Sequence, residues 1–289
     1  MGPRSGVAAP PCATTAVILA RGLGTRMRAE DGATLTESQR TAASAGAKGL
    51  MPVAGFPLLD HVLHELAEGG VTDVVFVIAP RETALRGRYG RDHVPRRIRV
   101  RFAEQVEARG TADALIAARD AVDECGPHDA TGVSHFLMLN ADNLYPAESV
   151  RALVSLDGPG LVAYEAEALS SRGNIEPGRV SAFALLDLSA TDDLLEIVEK
   201  PSAEHPLMHA ADRWVSMNLW RFDSGIFDDC ARVRPSVRGE LELSDAVRAA
   251  IARGVRFCAV RQRLAVLDLS RRGDVAAVDA RLAGRVPAP

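Results

Sequence analysis

What this sequence lacks excludes several classes of protein. Cysteine is scarce: Cys12, Cys125, Cys230 and Cys258 lie far apart with no paired spacing. Neither a disulfide framework nor a zinc-ligand pattern can be written from them, and a reducing, cytoplasmic setting is expected. An excess of positive charge is also missing. The 34 Lys and Arg residues face 38 Asp and Glu, a formal charge of -4, so no nucleic-acid partner held by bulk charge is expected and any basic function must be local. No membrane span is expected either. The apolar run near the N-terminus, Ala16 to Ala20, is too short even for the core of a signal peptide. Arg, Ala and Val recur without a fixed period, so no structural repeat is read.

What is present is an ordinary globular composition, 47% apolar and 25% charged, in a chain long enough to bury one large α/β core. Residues 1–15 read as a flexible tail entering a strand, and residues 16–289 as a single domain. The run Ala16-Val17-Ile18-Leu19-Ala20 is continuous and apolar, as a strand buried on both faces of a parallel sheet must be. Leu58, Leu59, Val62, Leu63 and Leu66 fall at helical spacing within 57–68, Gly69-Gly70 stops that helix, and residues 74–78 make a second buried strand. The rhythm repeats with a helix over 112–124 and a strand over 136–139 that ends abruptly in Asn140-Ala141-Asp142-Asn143. The N-terminal half is therefore expected to be a doubly wound, mostly parallel sheet. Beyond about residue 160 strands are expected over 161–164, 180–188, 194–198 and 214–222, and helices over about 241–253 and 270–283. Residues 28–47 carry no sustained apolar stripe and predict a long mobile loop, either a lid or a plain insertion.

The strongest local signal is Leu19-Ala20-Arg21-Gly22-Leu23-Gly24-Thr25-Arg26, a strand that runs into a glycine turn and closes on an arginine. Glycines let backbone N–H groups approach a phosphate, and an arginine beside them offsets its charge. An ordinary tight turn would look the same in isolation. A dinucleotide-binding turn of an NAD-linked oxidoreductase is the other competitor. It needs a third glycine where Arg26 stands and an acidic residue after the second strand, where this chain has Ile78-Ala79-Pro80. His61 and His64 share a helical face but have no third ligand nearby in sequence, and Trp214 and Trp220 read as strand packing.

From this turn onward the chain resembles the sugar-1-phosphate nucleotidyltransferases. The turn Gly22-Leu23-Gly24-Thr25-Arg26 is followed by a lysine element, Ala47-Lys48-Gly49-Leu50-Met51-Pro52-Val53, leading into Pro57-Leu58-Leu59. Gln105 with Gly110-Thr111-Ala112-Asp113-Ala114 resembles the family's base-reading segment, and Asn140-Ala141-Asp142-Asn143 its metal corner. Val198-Glu199-Lys200-Pro201, the stretch from Pro235 to Asp245 and Leu267-Asp268 match later family elements in the same order. Ordered matches from Gly22 to Asp268 are far more specific than any one of them.

The resemblance implies a Rossmann-like, glycosyltransferase-A-type nucleotidyltransferase fold, with a nucleotide-binding half of about 16–145 and a mixed acceptor-binding half of about 146–289. It implies transfer of a nucleoside monophosphate from a nucleoside triphosphate to a sugar 1-phosphate or a sugar-like cyclitol phosphate, with release of pyrophosphate and Mg²⁺ as cofactor. Glu104-Gln105 with Gly110-Thr111-Ala112 looks most like uridylyl-transferring members, hence UTP. Carried over residue by residue, Arg26 and Lys48 act on the triphosphate, and Leu19, Ala20, Gly22, Gly24, Thr25, Gln105, Gly110 and Thr111 bind the nucleotide. Glu199, Lys200, Asn218 and Arg238 hold the acceptor, while Asp142 and Asp268 bind the metal. A homo-oligomer is implied too, and no separate C-terminal domain is expected after Asp268.

These residue types suit the reaction, because nucleophile and electrophile are both anionic and need positioned cations, not a protein nucleophile. Four departures stand out. Arg21 replaces the usual glycine, the stretch between Arg26 and Lys48 is long, Asn140-Ala141 precedes the metal aspartate, and Ser216-Met217-Asn218 replaces the usual Thr-Gly beside the sugar. They put the acceptor in question and leave open a second reading, a nucleotide-sugar-binding regulatory or catalytically silent homologue. Retention of both aspartates favours the enzyme, since a silent homologue has no physical need to hold repelling carboxylates together.

Overall fold

The structure is a computed structural model that describes residues 14–22, 24–125, 133–180 and 182–289. Cys12, the expected tail as far as residue 13, and Leu23 of the glycine turn lie outside the described residues. Strand β1 (Thr15–Leu19) leads through helices α1 (Thr25–Arg28) and α2 (Glu37–Ala45) to the short strands β2 (Pro52–Val53) and β3 (Phe56–Pro57). Helix α3 (Leu58–Glu68), strand β4 (Asp73–Ile78), the turn α4 (Ala84–Gly87) and strand β5 (Arg99–Glu104) follow. Next come α5 (Thr111–Ala117), α6 (Arg119–Cys125), β6 (His135–Asn140), β7 (Asn143–Leu144) and α7 (Ala147–Val154). The remainder contains β8 (Gly160–Glu165), α8 (Ala166–Ser171), α9 (Pro177–Val180), β9 (Ala184–Leu188), β10 (Leu194–Val198) and β11 (Trp214–Asp223). It ends with α10 (Ile226–Arg232), α11 (Leu243–Ala252), β12 (Cys258–Gln262), β13 (Leu267–Asp268) and α12 (Asp274–Leu282).

One large sheet organises these elements. β5, β4, β1 and β6 are parallel neighbours in that order, and β11 runs antiparallel beside β6. β11 also carries β8 and β9, with β12 outside β8 and β10 outside β9, so the second half is mixed. The period-two alternation of the strands divides the core into two layers. Ala16, Ile18, Val74 and Phe76 pack with Leu59, Leu63 and Leu66 of α3, whereas Val17, Val75 and Val77 pack with Leu115 of α5 and Val247 of α11. Continuous apolar strands are required because both faces are covered.

Topology places the functional crevice. From β1 the chain crosses to β4 and then β5 on one side, and returns to β6 on the other. The strand order therefore reverses between β1 and β6, and in open α/β sheets ligands bind at the carboxyl ends of the strands at such a reversal. β11 overruns β6 there: Trp220 pairs with Met138, while Trp214 to Ser216 lie beyond the end of β6 and pair with β9.

The structure corrects several readings of the sequence. Residues 28–47 are not an open loop, because α2 occupies Glu37–Ala45. Its start is a reciprocal capping box: Gln39 N donates to Thr36 Oγ1 at 3.3 Å, and Thr36 N to Gln39 Oε1 at 3.0 Å. The expected strand over 180–188 begins only at Ala184, with the helical turn α9 before it, and the helix expected over 112–124 divides at Ala118. Strands β5 and β12 went unread because each is a sheet edge with Arg residues and little buried surface.

The C-terminal end of α2 packs directly on the glycine turn. Gly24 takes φ 62°, and a Cβ built on it would lie 2.5 Å from the carbonyl oxygen of Gly46, the glycine that ends α2. This close approach sets Lys48, two residues later, against the turn. Gly24→Ala is expected to destabilise the protein by about 2–4 kcal/mol, combining left-handed backbone strain with over-packing. Gly32→Ala, at φ 78° with no atom within 4 Å of the new Cβ, should cost only about 1–2 kcal/mol. Equal urea-unfolding free energies for the two variants would contradict the Gly24–Gly46 contact.

Candidate active site

The glycine turn leaves β1 at Leu19 and Ala20, where Ala141 N donates to Leu19 O at 3.3 Å and Ala20 N to Val77 O at 2.9 Å. The turn therefore sits between the ends of β4 and β6. Gly22 is exposed, and a side chain added there would meet nothing within 4 Å, so no protein contact demands glycine at that position. Thr25 and Arg26 open α1 and are exposed, and Arg26 makes no hydrogen bond or ion pair with the described residues. The C-terminal segment fastens this region from below: Arg272 donates to Met27 O at 3.0 Å and Arg28 O at 3.1 Å, and Gly273 N to Asp31 Oδ2 at 2.9 Å.

Across the crevice the two candidate metal aspartates are brought together by backbone pairing. β13 runs antiparallel to β7 with Asp268 opposite Asn143, and Leu269 N donates to Asp142 O at 2.9 Å. Lys48, on a 3₁₀ turn, donates through Nζ to Asp142 Oδ2 at 2.7 Å. Asp268 is 1% exposed, accepts from Ser270 Oγ at 2.9 Å, and pairs with Arg179 Nη2 at 2.6 Å. Arg179 also reaches Asp274 at 2.5 Å. Burial pushes the Asp268 carboxyl above the ordinary aspartate range and the neighbouring Asp142 charge adds to this, against the pull of Ser270 and Arg179. Among the described residues no three His, Cys, Asp or Glu side chains form an all-protein metal cage. A pair of carboxylates is instead a donor set that suits Mg²⁺, which uses one or two carboxylates together with substrate phosphate and water.

Gln105 lies at the carboxyl end of β5 and is buried. Its Nε2 donates to Gly110 O at 3.0 Å and to Asp113 Oδ2 at 2.9 Å, leaving Oε1 as an acceptor. Gly110 takes φ 120°, and a Cβ there would lie 2.4 Å from Leu241 O. Ala112 N donates to that same carbonyl at 2.9 Å, and Leu243 N donates to Thr111 Oγ1 at 2.9 Å. The 105–113 segment is thus built against the stretch from Pro235 to Asp245.

Glu199, Lys200 and Arg238 come together at the end of β10, and their charges interact. Arg238 is tied to Glu242 at 2.6 Å, and Arg248 anchors β10 by donating to Ile197 O at 2.9 Å. Asn218 sits where the pairing of β11 with β8 shifts register between Ser216 and Trp220. Tyr145 donates to Met217 O at 2.6 Å and holds this bulge beside the end of β6. Lys200 and Asn218 both take positive φ, 46° and 58°, a conformation that costs of order 1–3 kcal/mol for a non-glycine residue and concentrates at functional positions.

With this geometry in place, comparisons with known proteins identify the lineage. The family model described as nucleotidyl transferase matches residues 15–269. The chain belongs to the nucleotidyl transferase family. It is 27% identical over 246 residues to the UTP–glucose-1-phosphate uridylyltransferase AglF of Haloferax volcanii, covering 85% of this chain and 87% of that protein. It is 27% identical over 234 residues to the bifunctional protein GlmU of Methanocaldococcus jannaschii, covering 81% of this chain but only 46% of the relative, so it spans about half the length of that protein. A UTP-bound UGPase from Acinetobacter baumannii shares the fold at a TM-score of 0.71 and 15% identity, covering 93% of each chain. A glucose-1-phosphate thymidylyltransferase from Bacillus anthracis, described as putative and solved with sucrose, does so at 0.68 and 20% identity, covering 95% of this chain and 96% of the other.

Other residues were readable or hidden to different degrees in this nucleotidyl transferase. Asp113 stood in the quoted motif, but its pairing with Arg109 and its hold on Gln105 were not read from the sequence. No local signal marks Arg179, Tyr145 or Arg248, whose roles arise from contacts between distant segments. His61 is buried with Nε2 3.3 Å from Val53 O, and His64 Nδ1 accepts from Ala288 N at 3.3 Å, so both serve packing and connection. Trp220 stacks on Phe222 at 5.5 Å inside the core.

Glu199 keeps solvent access, yet its carboxyl is pushed above the ordinary range, first by lost hydration and then by Glu242, with Arg238, Arg248 and Lys200 opposing. The folded protein holds this proton more tightly than the unfolded chain, whose carboxyl titrates near about 4.3. Ionisation therefore costs stability, and that cost grows as pH rises from the unfolded value through the raised folded one. Glu199→Gln is expected to raise the urea midpoint at neutral pH and to lose that advantage below pH ~4. A midpoint at neutral pH equal to or below that of the unmodified protein would contradict this environment.

Proposed function

We propose that this protein transfers UMP from UTP to a sugar 1-phosphate, with glucose 1-phosphate as the first acceptor to test, and releases pyrophosphate in an Mg²⁺-dependent reaction. The observation that carries the proposal is the crevice between β1 and β6. Support comes from the glycine turn that follows β1, from Arg26, which has no ion pair among the described residues, and from the contact of Lys48 with Asp142 beside Asp268. Likeness to AglF supports uridylyl transfer.

An oxygen of the acceptor phosphate attacks the α-phosphorus of UTP, the bond from that phosphorus to the bridging oxygen breaks, and pyrophosphate leaves with the electron pair. Arg26 and Lys48 offset the negative charge of the triphosphate, while the backbone N–H groups of Gly22, Gly24 and Thr25 line its path beyond Leu19 and Ala20. Gln105 Oε1 accepts from the imide N–H of uracil, and Gly110 and Thr111 form the wall behind the base. Glu199 and Asn218 bond acceptor hydroxyls, and Lys200 and Arg238 bind the acceptor phosphate. Asp142 and Asp268 would hold Mg²⁺, which when bound supplies charge neutralisation and orientation of phosphate oxygens.

Pyrophosphate release with UTP and glucose 1-phosphate is the direct test, with dTTP, GTP, CTP and ATP and with cyclitol phosphates as alternatives. Arg26→Ala is expected to lower kcat by about 10²–10³ without changing the unfolding midpoint, the usual loss for one charge donor to a transition state. A loss below about threefold would remove Arg26 from the mechanism. Absence of turnover across the whole panel, with nucleotide binding retained, would replace transfer by the regulatory reading.

A further inference from the structure

Arg21 has no part in the reaction as described, although it stands inside the glycine turn where the family usually has glycine. Its side chain does not point to the acceptor half. It runs from the end of β1 across the end of β4 to the segment that leaves β5, where Nε donates to Gln105 O at 2.6 Å and Nη2 to Val106 O at 2.9 Å. A guanidinium donating to two consecutive carbonyls is a two-point clamp, and its rigid planar fork makes that geometry specific.

Beyond Gln105, residues 106–108 of the clamped segment have little else to hold them. Gln105 N is fixed to Ile78 O at 2.9 Å, but the next residues turn outward and Val106 is 73% exposed. Among the described residues, no hydrogen bond from outside the segment other than those of Arg21 reaches Val106, Glu107 or Ala108. The chain then returns through Arg109 and Gly110 to its contact with Leu241. The carbonyls held by Arg21 thus belong to the residue read as the base contact and to its neighbour.

We propose that Arg21 is a positioning residue for the nucleotide: it fastens the Gln105–Val106 turn to the carboxyl end of β1. The base contact and the phosphate turn are thereby held at a fixed spacing before the nucleotide arrives. A nucleotide meeting a turn that is already ordered does not have to supply the ordering free energy itself. Arg21 then acts on binding and not on the transfer step, and the departure from the family belongs to the nucleotide side of the crevice. The inference rests on the reading of Gln105 as the base contact.

The test compares the unmodified protein with Arg21→Ala and Arg21→Lys. Three quantities are measured: UTP affinity by calorimetry without acceptor, amide hydrogen exchange over residues 105–109 without nucleotide, and steady-state kinetics. Arg21→Ala is expected to raise Kd and KM for UTP about tenfold or more, the scale of one lost charge-assisted hydrogen bond, while kcat changes by less than about threefold. Exchange over 105–109 should accelerate, and Arg21→Lys, which keeps one cationic donor, should recover part of the affinity. An unchanged Kd would overturn the proposal. So would a weakened Kd with unchanged exchange, since Arg21 would then touch the nucleotide itself. Failure of transfer leaves the binding comparison intact. If UTP is not the ligand, the comparison uses whichever nucleoside triphosphate the unmodified protein binds, and binding of none would overturn the clamp together with the nucleotide reading.

Discussion

The structure depends on forcing two like charges together. Pairing of β7 with β13 puts Asp142, in the turn just before β7, beside Asp268 of β13, and the bond from Leu269 N to Asp142 O joins the two segments. Carboxylates held close together repel by a few kcal/mol at an effective dielectric of about 20, more than one exposed ion pair of about 0–1 kcal/mol returns. The surroundings of the pair answer this need. Lys48 meets Asp142 and Arg179 meets Asp268, each on a segment distant in sequence from its partner. Asn174 braces the Asp268 backbone from both sides, at 2.7 and 2.8 Å.

That arrangement draws the rest of the crevice together. Lys48 reaches Asp142 because α2 ends against Gly24, and α1 is held in turn by Arg272, which follows the Asp268 segment. On the other side, β11 continues past the end of β6 and bulges at Met217 and Asn218, where Tyr145 secures it. The residues singled out for nucleotide and acceptor are therefore gathered at one end of the sheet, where the carboxyl ends of β1 and β6 lie. The left-handed backbone at Lys200 and Asn218 marks where that end carries strain.

Much of the parallel half was legible because buried strands between helices leave continuous apolar runs, as in residues 16–20, 74–78 and 136–139. Lys48 and both aspartates were singled out by the ordered resemblance that begins at the glycine turn, not by any local pattern, and the folded chain brings Lys48 into contact with Asp142. Helix α2 was missed because its buried face is made of small and polar residues, Ala43 and Gln39, although the Thr36–Gln39 capping pair was there to be read. Edge strands β5 and β12 were missed because they bury too little to impose a period. Arg179 and the contact of Gly110 with Leu241 were beyond reach for another reason: they join segments that only the folded chain brings into contact.

The most direct test of the central claim is anomalous diffraction from crystals of the protein grown with UTP and Mn²⁺, a probe for the magnesium site. A single strong anomalous peak is expected next to Asp142 and Asp268, where they would hold the metal against the triphosphate, with the Lys48–Asp142 pair opened. A peak held by other residues, or bound UTP with the Lys48–Asp142 and Arg179–Asp268 pairs intact and no metal between the carboxylates, would contradict it.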